Sequence, residues 1–155
     1  MINLAVILAA VTLVMVLPLT VMAAEHDHGA VHGGHDMMKM GSVAHEEVID
    51  GVKATFEVLD MQEQMKGAVS KGIKETHHIM VKFTDVKSGK PLTEGEVKVK
   101  VMAPDKREQT KDLMGMQGHF GADYDLSKKG KYGVMCKFQL KDGKVRSAKF
   151  WYTVK

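Results

Sequence analysis

From Val52 onward the chain alternates apolar and polar residues in short runs, each closed by a turn signal. Alternation with period two places successive side chains on opposite faces of a strand. The first run is Val52-Lys53-Ala54-Thr55-Phe56-Glu57-Val58. Further runs cover His77 to Thr84, Glu96 to Met102, Gly118 to Leu126, Tyr132 to Leu140 and Val145 to Val154. Lys87-Ser88-Gly89-Lys90-Pro91 reads as a turn, and Ala103 to Leu113 as an irregular polar stretch. Asp142-Gly143 at the centre of Lys141–Lys144 predicts a hairpin in which both central residues take positive φ. About seven strands in roughly 100 residues predict an all-β fold, an immunoglobulin-like antiparallel β-sandwich over residues 48–155. One short helix is expected: Asp60-Met61-Gln62-Glu63 resembles a capping box, with Met61, Met65 and Val69 as its apolar stripe.

The same alternation assigns faces. His77, Ile79, Val81 and Phe83 share one side of their strand, and His78, Met80 and Lys82 the other. Val97, Val99 and Val101 point inward, with Lys98, Lys100 and Met102 outward. Val134, Cys136, Phe138 and Leu140 point inward, with Met135, Lys137 and Gln139 outward. Cys136 thus reads as a small core residue, and as the single cysteine it forms no internal disulfide.

Residues 1–24 carry no charged side chain, and Val21-Met22-Ala23-Ala24 offers small residues suited to signal peptidase. This segment is expected to be a signal peptide that sends the protein to the periplasm; if retained, it becomes an N-terminal membrane anchor. Residues 25–47 form a His/Met-rich arm, expected to be disordered. Five of the eight histidines lie there (His26, His28, His32, His35 and His45), with Met37, Met38 and Met40 among them. Imidazole and thioether are ligands for soft and borderline metals, and thioether selects Cu(I). Gly29, Gly33 and Gly34 let the backbone wrap so that several imidazoles reach one ion.

A second constellation falls within the sandwich. Met114-x-Met116-x-x-His119 sets two thioethers and an imidazole within six residues, in a glycine-rich loop leading into a strand. His78 and Met80 share the outer face of another strand, and Met135 is outward on a third. If those strands neighbour the loop, soft ligands converge without a buried net charge. Met61 and Met65 read instead as packing residues, and His77 as a hydrogen-bonded core histidine.

Other classes fit poorly. The net charge is +3, and the lysines alternate along strands in place of forming a dense basic patch, which argues against nucleic acid. There is no phosphate-cradling loop and no His-Glu-x-x-His helix. Cys136 and Met135 are adjacent and face opposite ways, which removes a blue-copper ligand set. No enzyme is expected.

From His77 to Val154 the chain resembles the small exported sandwich domains of the YtkA-like and FixH-like group. The shared features are Gly89-Lys90-Pro91-Leu92, Met114-Gly115-Met116, Gly118-His119-Phe120, Leu126 and Gly130-Lys131-Tyr132. Members often carry Met-Pro-x-Met, whereas this chain has no proline between Met114 and Met116. The resemblance implies copper handling or respiratory assembly. The combined reading is a periplasmic, monomeric copper-binding protein that exchanges the ion with a periplasmic or membrane-bound metalloprotein. Its site residues are Met114, Met116, His119, His78 and Met80, fed by His26, His28, His32 and His35. Two alternatives stand beside it: an envelope interaction domain with the arm as linker, and zinc or nickel buffering by the arm alone.

Overall fold

Two antiparallel sheets, packed through alternating apolar side chains, make up the described part of the chain. The structure is a computed structural model, and it describes residues 41–62 and 72–155. The arm histidines His26, His28, His32 and His35, residues 1–24, and most of the expected helix lie outside the described residues. Ten strands follow in order: β1 (Ser42–Ile49), β2 (Val52–Asp60), β3 (His77–Asp85), β4 (Pro91–Leu92), β5 (Gly95–Met102), β6 (Glu108–Asp112), β7 (Met114–Met116), β8 (His119–Tyr124), β9 (Gly130–Leu140) and β10 (Val145–Val154). The first sheet runs β1-β2-β3-β8-β7, with β4 also on β3; the second runs β10-β9-β5-β6. Among the described residues there is no helix, and none therefore long and apolar enough to cross a membrane.

The expected faces hold. Phe56, Ile79, Val81, Phe83, Val99, Val101, Val134, Cys136 and Phe138 are all buried between the sheets. Phe83 and Phe138 join the two layers with ring centroids 4.3 Å apart. Tyr124 spans the layers as well, its hydroxyl donating to the Val99 carbonyl at 3.0 Å. Burial pushes the Cys136 thiol up to about 12, so this cysteine stays a protonated core residue. His77 is buried as expected and lies edge-on to Tyr152.

Several local expectations give way. The sandwich begins at Ser42, six residues before the expected boundary at 48, because β1 pairs along β2 from Ser42↔Val58 to Ile49↔Val52. His45 is therefore a strand residue, stacked on Phe150 at 5.0 Å, and not part of a flexible arm. The two-residue hairpin with paired positive φ is Asp50-Gly51 (47° and 77°), which joins β1 to β2. At Asp142-Gly143 only Gly143 is left-handed, at 73°. There the Gly143 N–H closes a turn onto the Leu140 carbonyl, and Asp142 is held by Arg146. Asp60 ends β2, opposite His77, and its carboxylate accepts the Gln62 N–H at 2.9 Å.

Candidate metal centre

Met114-Gly115-Met116 is a strand, not a loop. It forms β7 and turns straight back into β8 through Gln117-Gly118, with φ of 45° and 85°. Two consecutive left-handed residues make the tight turn whose twist matches the flanking strands. Met116 then faces His119 across the hairpin, and Met114 faces Gly121. All three residues of β7 are exposed.

The pairing of β8 with β3 brings the other candidates to the same place. Met80 pairs with Gly121, and His78 pairs with Asp123. Gly121 thus has Met80 on one flank and Met114 on the other. Neighbouring strands lie about 4.8 Å apart, so those two backbones are separated by about 10 Å, within reach of two thioether arms. Met135 does not join them. It belongs to β9, in the other sheet, on that sheet's outer face.

The His78 ring lies across Gly121. A Cβ built on that glycine would sit 2.4 Å from His78 Nε2 and 2.9 Å from Cε1. The other ring nitrogen, Nδ1, is 2.5 Å from an Asp123 carboxylate oxygen. A carboxylate only accepts, so Nδ1 carries the proton and Nε2 is the ring nitrogen left facing the glycine. Carboxylate–histidine pairing of this kind orients metal-ligating imidazoles and raises their basicity. His119 stands perpendicular to His78, with ring centroids 6.4 Å apart. Partial burial, and then the charges of His78 and Lys82, hold the His119 imidazole below its ordinary pKa. It is consequently neutral, with a lone pair available, at neutral pH.

Glu57 closes one side. It is only 6% exposed although it lies on the outer face, directly opposite Met80. Lys82 neutralises it with a 2.7 Å ion pair, so the wall beside the thioethers carries no net charge. Among the described residues, no three His, Cys, Asp or Glu side chains come together as a metal site. A metal at this face would therefore draw on methionine sulfur, and a donor set of thioethers and imidazoles suits a soft ion such as Cu(I).

Of the sequence-predicted ligands, His78, Met80, Met114, Met116 and His119 share this face. Glu57, Lys82, Gly121 and Asp123 were not singled out for it. Asp123 could have been found from alternation alone, since it falls on the same face as His119 and Gly121.

No protein-family model and no curated protein matches the chain by sequence. Solved structures do match in shape. A copper-bound variant of FetP from uropathogenic Escherichia coli superposes with a TM-score of 0.58 at 12% identity, covering 74% of this chain and 97% of that one. As-isolated FetP, recombinantly expressed in the E. coli periplasm, gives 0.54 at 15% identity with the same coverages. A DUF4426 family protein from Pseudomonas aeruginosa gives 0.55 at 13% identity, covering 71% of this chain and 96% of that one. The chain therefore has the β-sandwich fold of these proteins.

Proposed function

We propose that this protein is an exported copper-binding protein that takes up the ion as cargo and passes it on, without catalysing a reaction. The observation that carries this reading is the His78 ring, tied down by Asp123 and laid over Gly121 between Met80 and Met114. Met116 and His119 extend the donor set from the next position of the hairpin. Neutral sulfur and nitrogen donors favour Cu(I) over zinc or nickel. The copper-bound FetP variant shows that a sandwich of this shape accommodates copper in that protein. The resemblance to YtkA-like and FixH-like domains supports an exported setting. His26, His28, His32 and His35 serve as a collecting arm, since clustered imidazoles bind soft and borderline metals.

The test is a Cu(I) competition titration of the full-length chain with a chromogenic chelator, in three forms. Replacing Met114 and Met116 by leucine should abolish tight one-to-one binding. Replacing His26, His28, His32 and His35 by alanine should leave that affinity in place and remove only weaker uptake. The reverse result would make the arm the whole binding site and the sandwich a scaffold.

A further inference from the structure

The two longest strands, β9 and β10, contain no aspartate or glutamate. Their outward side chains include Lys131, Lys137 and Lys149, all exposed. Among the described residues none of the three has a carboxylate within ion-pair distance; Lys98 and Lys100 on β5, by contrast, are taken up by Asp112 and Glu108. Amid these lysines lies Trp151, the only tryptophan of the chain and 60% exposed. Cross-strand register places Trp151 opposite Gly133, Gly133 opposite Met102, and Met135 between Lys100 and Lys149. Gly133 lets the indole lie against the sheet, since a Cβ there would be 3.2 Å from Trp151 Cζ3 and 3.6 Å from Met102 Cε. Lys131 Nζ sits over the indole, 4.8 Å from the ring centre.

We propose that this outer face of the second sheet docks on an anionic phospholipid surface. An amphipathic ring with two thioethers beside it suits the boundary between headgroups and acyl chains, where tryptophan is enriched. Lysines around it keep their charges among anionic headgroups while their stems lie along apolar surface. Two thioethers and an indole would also suit a soft cation, but three uncompensated lysines repel one, and they attract phosphate instead. The face lies on the sheet opposite to the one carrying His78 and Met114, so a docked protein leaves that site turned away from the lipid.

Because Trp151 is the only tryptophan, its fluorescence reports this face and nothing else. The full-length protein is mixed with vesicles of phosphatidylcholine alone and with vesicles containing phosphatidylglycerol. The anionic vesicles should shift Trp151 emission to the blue and sediment the protein, and salt should weaken both effects. Each lysine near an anionic surface is worth roughly fivefold in partitioning, so replacing Lys131, Lys137 and Lys149 together by glutamine should weaken it on the order of a hundredfold. A glutamate triple variant should not bind at all, and circular dichroism verifies that both variants fold. Unchanged emission with anionic vesicles would overturn the proposal. So would an equal shift with neutral vesicles, or sedimentation that survives both variants, which would assign binding to residues 1–24. A blue shift produced by an acidic polypeptide but not by vesicles would make the partner a protein and equally overturn it.

Discussion

His78 and Asp123 face each other in register across β3 and β8, and the imidazole Nδ1–H donates to the carboxylate over 2.5 Å. The histidine is partly buried and the aspartate about half exposed, so the carboxylate stays hydrated while it holds the ring. The pair sets which nitrogen of His78 is protonated and where the other one points.

Asp123→Asn removes the charge but keeps the size, and an amide can donate to Nδ1 and force the opposite tautomer. Losing such a carboxylate partner lowers metal affinity by about ten- to a hundredfold. The expected result is that loss in a Cu(I) competition titration, with a thermal midpoint close to that of the unaltered protein.

Gly121→Ala separates site from fold. The added methyl would meet the His78 ring, the movable end of a side chain, and not backbone. The ring swings aside, at a stability cost of about 1 kcal/mol. Cu(I) affinity should drop at least as far as in Asp123→Asn. A variant that binds copper normally would show that His78 is not a ligand.

Stability should depend on pH through His77 and His119. Burial lowers the pKa of both; at His119 the charges of His78 and Lys82 lower it further, whereas at His77 the Asp60 carboxylate partly opposes burial. With depressed folded values, protons bind the unfolded chain first as pH falls. Their stabilisation is complete above the unfolded pKa of about 6.5 and is lost as pH descends through the folded values. Thermal melts in that window should show a falling midpoint, and His77→Gln should flatten the curve. Asp142, held near a pKa of about 2 by Arg146, contributes a separate loss at much lower pH.

Tyr124→Phe tests the bond between layers. The hydroxyl donates to the Val99 carbonyl from a fully buried position, and burial raises its pKa so that it remains a donor. Removing it should cost about 1–2 kcal/mol in urea unfolding without altering copper binding.

Much of this arrangement could be read along the chain because a strand writes its faces into alternate positions. His78, Met80 and the inward Val97, Val99 and Val101 needed nothing more. Local information failed where two strands had to be known as neighbours. Met135 shares its outward orientation with Met80, yet β9 and β3 lie in different sheets. The importance of Gly121 arises only once His78 lies across it from another strand. Asp50-Gly51 and Asp142-Gly143 are the same dipeptide, but only the first spans two residues between paired strands. At the second, the Arg146 guanidinium and the Lys144 N–H engage the Asp142 carboxylate and the turn takes a different form.

The candidate ligands are divided between unequal supports. His78 and Met80 stand on β3, paired on both sides within the sheet, whereas Met114 and Met116 stand on three exposed residues at its rim. Short border ribbons open at far lower free energy than the interior of a sheet. On the proposed reading, an ion gripped between the two would have a fixed jaw and a hinged one. A recipient protein would then peel back β7 and collect the cargo while the β3 half of the grip stays in place.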